Sequence, residues 1–507
     1  MKKLTQKTIN FLIPSLVFCG TLFILGSLVG SQPIGHDEAV YLTKARSWME
    51  GTPADEFEIY RPIGMAWFGW LFLHFGDSEI MMRSFGVIFG AISTLFIYLF
   101  FRRISNLPIA VSITGIVITS TLFLKEAPLF QNDIPSSGLL FGVLWLVYIY
   151  YKTASKSKSI YFAGPLAALA FYLRYGVASS FGIIAVLSIL ILGHRLIKKK
   201  DANYLNLVIT VIISVLLFAP HFIQSFIVER KIFGILSRAG EAAHRAYIGE
   251  GLVNYIKWLP NEIGGWFLGI TAIIGIVATI VIVFRKKLRQ NYVGMLWIGS
   301  IGLSNFIITG LLVHAESRYV FFPVVLLSGV GIASIYYMIS HWSKISANLL
   351  VGVFLLSIIY SGIISYNETN SFFRTKEADP YGVAYIEISE AIRKDSATEN
   401  GCAIWAITTN RPKISWYSKC NTLQIRDMDL FEKDFYINFR KAHYSIVRDT
   451  LKKEKQIDQK EAENFGVNLT EIFRTNNLSK IYGGNFIVYR ITRKYSEEED
   501  FLNLLEK

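Results

Sequence analysis

Charge is scarce in this chain: 18% of its 507 residues are Asp, Glu, Lys or Arg, against 52% that are hydrophobic. Cysteine is scarcer, three in all, and none has the spacing of a metal site. Cys19 lies in an apolar stretch and reads as a small buried hydrophobe. Cys402 and Cys420 fall in a polar tail, where oxidising surroundings would permit a disulfide whose geometry the sequence does not give. The chain has no Gly-rich phosphate loop, no internal repeat and no low-complexity tract. Acids are almost missing from the apolar runs. That argues against a transporter or flippase, which would place ionisable groups near the midplane on interrupted helices. Cations outnumber acids, giving a net charge of +13, but they are dispersed over short loops. A nucleic-acid footprint would gather them on one face, so no nucleic-acid partner is expected.

What the chain has in abundance is apolar runs of the length that crosses a hydrocarbon layer, roughly 20 residues for about 30 Å. Spans are expected at 10–31, 80–101, 107–124, 133–151, 160–173, 176–193, 205–222, 263–284, 292–313, 320–340 and 347–366, about eleven in all. The first, long and followed by others, reads as an uncleaved anchor rather than a signal peptide. Residues 63–75 are apolar but short, and read as a re-entrant or interfacial helix. Cations alternate between loops: Lys2, Lys3 and Lys7, then Arg102-Arg103, Lys152/Lys156/Lys158, Arg195 with Lys198 to Lys200, Arg285 to Arg289, and Lys344. The positive-inside rule places these in the cytoplasm. The loops holding Asp37-Glu38, Glu126 to Asp133, Arg174, residues 223–262 and His314 to Tyr319 then face outward, as does everything after residue 366.

The tail from 367 to 507 changes character. A helix is expected over Tyr381–Lys394, strands over Cys402–Ile407, Tyr444–Val447 and Asn485–Arg493, and a helix start near Arg411–Ser418, which sum to a small α/β domain. Three Asn-x-Ser/Thr sequons, at Asn367, Asn468 and Asn477, lie in this stretch.

The chemistry-bearing residues collect in the outward loops. Asp37-Glu38 opens an amphipathic segment in which Tyr41, Leu42, Ala45, Trp48 and Met49 form one apolar stripe, with Lys44, Arg46 and Glu50 off it. Such a helix would lie in the membrane interface. Asp37 falls in its first turn, where the helix dipole favours an ionised carboxylate, as a general base requires. The pair reads equally as a helix-start charge cluster. Arg61-Pro62 precedes the short segment 63–75; Arg61 suits either bidentate phosphate binding or interfacial anchoring. Asp133 could cap the next span or join the first acid at a substrate hydroxyl. Arg318 is a snorkelling anchor or a phosphate ligand. His314 reads as structural. Arg238, His244 and Arg245 offer cations in the long loop 223–262.

Taken in order, "GHDEAVYLTKARSWMEG", "YRPIGMAWFGWLFLHFGDSEIMMRSFGVIFG", "FQNDIPSSGLLF", "FYLRYGVASS" and "HAESRYVFFPVVLLS" resemble the polyprenyl-phosphate-sugar-dependent glycosyltransferases of family 39 and its relatives. These include the protein O-mannosyltransferases and the aminoarabinose transferase of lipid A. The likeness covers most of residues 10–340, and the tail resembles the outward domain of many members. It implies a polytopic α-helical membrane protein of the C-type glycosyltransferase fold: a transmembrane domain, 1–366, with its catalytic loop at 32–62, and an extracytoplasmic α/β domain, 367–507. It also implies residue roles. Asp37 matches the acid that deprotonates the acceptor hydroxyl, Glu38 its supporting neighbour, and Asp133 the second-loop acid. Arg61 and Arg318 match cations that hold the donor phosphate. Where some relatives carry an acid before the loop cation and use it for a metal, this chain has Tyr60, which implies that no metal is required. The partners implied are a polyprenyl-phosphate monosaccharide, an acceptor on protein, lipid or glycan, and the lipids of the plasma membrane. Transfer with inversion needs no nucleotide and no cofactor. An oligosaccharide transferase using a pyrophosphate-linked donor would share the topology.

Overall fold

The computed structural model describes residues 2–30, 32–51, 54, 57, 60–153, 156–193, 204–241, 248–259, 263, 265–312, 315–374, 379–395, 402–406, 410–423, 444–448, 463, 467–476, 478 and 484–493. The chain forms two compact units. One comprises residues 1–30, 58–68 and 75–372, the other residues 31–57, 69–74 and 373–507.

The first unit is helical. Among the described residues, nine helices are long and apolar enough to cross a membrane: Phe11–Leu28, Glu79–Ile104, Asp133–Lys152, Tyr175–Gly193, Leu205–Glu229, Phe267–Phe284, Val293–Leu311, Ser317–Trp342 and Val351–Arg374. The expected spans at 107–124 and 160–173 land on the shorter apolar helices Leu107–Thr119 and Lys158–Leu173. The first is cut at Ser120, whose hydroxyl accepts the Phe123 N–H and starts a new helix, Thr121–Glu126. Its 13 residues rise about 20 Å, less than a hydrocarbon core. The segment expected to be too short, 63–75, is an 11-residue helix, Ile63–Leu73. The last helix continues through Asn367 to Arg374.

Packing of one helix in this unit is inverted relative to a helix in water. In Leu205–Glu229 the exposed side chains are Val211, Ile212, Val215, Leu216 and Phe226, whereas Asn206, Thr210, His221 and Ser225 are buried. Only a hydrocarbon surrounding makes that arrangement favourable. Three of the buried polar side chains are hydrogen-bonded: Tyr161 Oη donates to Asn206 Oδ1 at 2.6 Å, Thr210 Oγ1 to the Asn206 carbonyl and Ser225 Oγ to the Lys231 carbonyl. Helices Gly265–Phe284 and Phe321–Trp342 approach most closely through glycine. A Cβ on Gly275 would collide with the Leu327 carbonyl, and one on Gly331 with that of Thr271. Thr271 and Ser328 hydroxyls bond across the same crossing at 2.5 Å.

The second unit carries a five-stranded sheet in the order β2-β1-β3-β5-β4, with β1 Ala403–Ala406, β2 Asn421–Leu423, β3 Tyr444–Arg448, β4 Val467–Arg474 and β5 Phe486–Arg493. β1 runs parallel to β2 and β3; β5 is antiparallel to β3 and β4. Tyr385, Ile388 and Ile392 of helix Pro380–Asp395 pack with Ile404, Ile446, Phe486 and Val488 of the sheet. The parallel register sets Ala403 opposite Asn421, which brings the preceding residues together, and Cys402 and Cys420 form a disulfide with their Cα atoms 4.9 Å apart. The sequons at Asn367 and Asn468 fall on the last helix and on β4, and Asn477 lies outside the described residues.

Candidate active site

In the sheet unit, residues 36–50 form the expected helix, His36–Glu50. Gly35 is its extended N-cap, and the Glu38 carboxylate reaches back to accept the Gly35 N–H at 2.7 Å. Glu38 is thereby committed to the helix start and is 1% exposed. Asp37 stands beside it in the first turn, half-buried, at the positive end of the helix dipole. The helix stops at Gly51, whose left-handed φ of 72° suits a residue without a Cβ.

One side-chain expectation is corrected here. Within the stripe, Tyr41, Leu42 and Ala45 are buried and Trp48 and Met49 exposed, whereas Arg46, expected off the stripe, is buried. The helix packs on Arg411–Ser418, where Arg46 Nη1 donates to the Trp416 carbonyl at 2.9 Å and its guanidinium lies 4.1 Å from the Trp416 ring centroid. That partner is 370 residues away in sequence, so periodicity within the helix could not reveal it.

In the helical unit, Asp133 and Arg318 meet, and with them residues the sequence reading placed only as loop members. Asp133 heads its helix behind the N-cap Asn132, so it does not cap the span. Its carboxylate, 3% exposed, pairs with Arg174 through Oδ1 and lies 3.4 Å from Arg318 Nε through Oδ2. Arg318 also pairs with Glu316 at 2.6 Å and donates to Gln131 Oε1 at 2.7 Å. Tyr319 lies between the two guanidiniums, 4.4 Å from that of Arg174 and 5.7 Å from that of Arg318. Tyr255 Oη accepts the Glu316 N–H at 3.5 Å; burial is the main cause that pushes its phenol up to about 12, with Glu316 and Asp133 adding to it and Arg174 opposing. Two cations and two anions are thus balanced at one end of the helices.

Arg61 sits half-buried in the turn before Ile63–Leu73, with Pro62 buried beside it. That helix start rests on the turn that presents Arg174: Gly64 packs so tightly on the Tyr172 carbonyl that a Cβ would collide with it, and Asn132 Nδ2 fixes the Leu173 carbonyl at 3.1 Å. Glu126 ends its short helix, half-buried. Arg238 pairs with Glu229 at 2.9 Å, whereas His244, Arg245 and His314 lie outside the described residues. Among the described residues no three His, Cys, Asp or Glu side chains converge as metal ligands would.

Comparison with known proteins follows the same lines. The model of the dolichyl-phosphate-mannose-protein mannosyltransferase family matches residues 60–223. The structure of ArnT from Cupriavidus metallidurans bound to undecaprenyl phosphate superposes with a TM-score of 0.64 at 13% identity, covering 95% of this chain and 98% of that one. The archaeal oligosaccharyltransferase AglB from Archaeoglobus fulgidus, in complex with an inhibitory peptide and a dolichol-phosphate, gives 0.60 at 12% identity, covering 97% and 75%. An Archaeoglobus fulgidus oligosaccharyltransferase tethered with an acceptor peptide gives 0.60 at 12%, covering 87% and 70%. No curated protein sequence matches this one. The chain therefore has the fold of these C-type membrane glycosyltransferases, with residues 60–223 matching the mannosyltransferase family model and with helices long and apolar enough for a multi-pass membrane protein. Its likeness to the family 39 enzymes rests on both the family match and the fold.

Proposed function

We propose that this protein transfers a monosaccharide from a polyprenyl-phosphate donor to an acceptor hydroxyl on the outer face of the plasma membrane, with inversion. The observation that carries this reading is the near-complete two-way overlap with a transferase bound to undecaprenyl phosphate. Asp37 takes the acceptor proton as the acceptor oxygen attacks the anomeric carbon. The bond from that carbon to the phosphate oxygen breaks, and its electron pair leaves with the polyprenyl phosphate. Glu38 supports the base by capping its helix. Arg61 and Arg318 hold the phosphate as its charge grows. Asp133 serves as the shared counter-ion that fixes Arg174 and Arg318. Arg318 already faces Glu316, which is 34% exposed, so the incoming phosphate replaces Glu316 as its partner.

Pyrophosphate-linked oligosaccharide donors are the second reading, favoured by the overlap with the archaeal oligosaccharyltransferase, but this chain covers only 75% of that protein. The deciding experiment supplies membranes containing wild type or Asp37→Asn with labelled polyprenyl-phosphate monosaccharides and, separately, a pyrophosphate-linked oligosaccharide. We expect transfer from a monophosphate donor by wild type and a loss of at least about 10²-fold in the variant at equal protein level. Substantial turnover by Asp37→Asn removes it as the base, and transfer from the pyrophosphate donor alone favours the second reading.

A further inference from the structure

The loop that carries Asp37 is held on both sides by one short helix of the same unit. Upstream, the Ile34 N–H donates to Tyr417 Oη at 2.7 Å. Downstream, Arg46 donates to the Trp416 carbonyl and stacks on its ring. Both partners lie on Arg411–Ser418, and Asp37 lies between the two contacts. Ile34 precedes the N-cap, so its N–H has no place in the helix ladder. Arg46 is 5% exposed, so the bond and stacking contact that its guanidinium makes with Trp416 form away from water.

The holding helix is itself fixed from behind. Lys413 Nζ reaches Asp379 Oδ2 at 3.3 Å, and Asp379 Oδ1 accepts the Gly382 N–H at 2.8 Å at the start of Pro380–Asp395. Ser415 Oγ donates to the Cys420 carbonyl at 3.0 Å, and Cys420 is bonded to Cys402 at the head of β1. An unbroken series of bonds therefore runs from the sheet, through Arg411–Ser418, to the residues flanking Asp37.

We infer that Trp416, Tyr417 and Arg46 form a clamp that positions the catalytic helix, making the sheet unit a working part of the transfer reaction. The inference rests on the proposed role of Asp37. None of the three touches substrate; they act through the backbone that presents the base. A displacement of about 1 Å at a reacting group can cost on the order of 10²-fold in rate. Since the clamp bears on the base and not on the phosphate-holding arginines, its loss should lower kcat and spare the donor KM.

The test compares Tyr417→Phe, Arg46→Met, their double variant and Arg46→Lys in the full-length protein. Two readouts are taken: transfer kinetics with a polyprenyl-phosphate monosaccharide, and amide hydrogen exchange over residues 36–50. Each single variant should lose kcat about fivefold, the equivalent of one net hydrogen bond. The double variant should lose more, with donor KM within about twofold of wild type. Arg46→Lys should not rescue, because an ammonium cannot both stack and donate in the guanidinium plane. Exchange should quicken in 36–50 and not in the helical unit. Unchanged kcat in the double variant, or a loss confined to KM, overturns the clamp. Should wild type transfer nothing from any lipid donor, the proposed function fails separately. Exchange then decides alone: unchanged protection of 36–50 in the double variant overturns the clamp, and faster exchange confined there sustains it.

Discussion

At Asp133 one carboxylate answers two guanidiniums, and this arithmetic governs what substitution there does. Removing Asp133 leaves Arg174 and Arg318 facing each other without their shared anion, and removing Arg174 leaves a carboxylate that is 3% exposed with one partner fewer. Breaking a buried pair one-sidedly costs about 3 kcal/mol, discounted somewhat here because Arg174 keeps 18% of its surface in solvent. Asp133→Ala and Arg174→Ala should each lower thermal stability in detergent, and the double variant should lose less than the sum. Additive losses would show that the two side chains do not act as a pair. Glu316 behaves differently. It is the exposed member of the group and competes for Arg318 with the proposed phosphate. Glu316→Gln should lower the donor KM by about fivefold, a gain of about 1 kcal/mol for a half-screened pair. A raised KM with unchanged stability would mean that Glu316 contacts the donor itself.

Among the secondary-structure elements, legibility followed the surroundings of each segment. Leu205–Glu229 was plain in the sequence because lipid on its outer face makes nearly every position apolar. Helix His36–Glu50 was legible because Asp37-Glu38 and Gly51 mark its two ends. What stayed hidden was which face meets which partner. Arg46 looked like a solvated cation because its mate, Trp416, is remote in sequence. Arg174 was visible only as a charge in a loop, since nothing within its own segment marks the carboxylate it neutralises. Strand β4 was missed altogether: Val467 and Leu469 begin an alternation that a bulge between Glu471 and Phe473 then breaks. The glycine crossing was equally silent, because small residues in an apolar run carry no period of their own. It yields a definite expectation. Gly275→Val and Gly331→Val should each force apart Gly265–Phe284 and Phe321–Trp342, reducing folded protein in membranes severely, whereas the same change at Gly352, which has open space around its would-be Cβ, should be tolerated. Normal yields of Gly331→Val would show that the helices do not meet this closely.

For the whole molecule, the proposed arrangement of the loops on one side draws on two arguments that do not depend on each other. The first is charge: Arg102-Arg103 and Lys152 end their helices, Arg285 follows another, and Lys344 begins the last, which puts them all on one side when the shorter apolar helices Leu107–Thr119 and Lys158–Leu173 are counted as crossings. The second is contact. Asp133, Arg174, Tyr255 and Arg318 come from four separate loops that alternation assigns to a single side, and in the structure these four residues form one group. An error of one span anywhere between residues 133 and 318 would put two of those loops at opposite ends of the helices, and the ion pairs could not form. The parity of the spans in that stretch is thus secured by chemistry as well as by hydropathy. Which end faces outward rests on the positive-inside rule alone. A reporter enzyme that folds only outside the cytoplasm should therefore be active when fused after Arg374, where the last helix ends, and inactive when fused after Lys152. A reversed pattern would turn the whole molecule over, and would move the proposed transfer to the cytoplasmic face while leaving the geometry of the Asp133 group untouched.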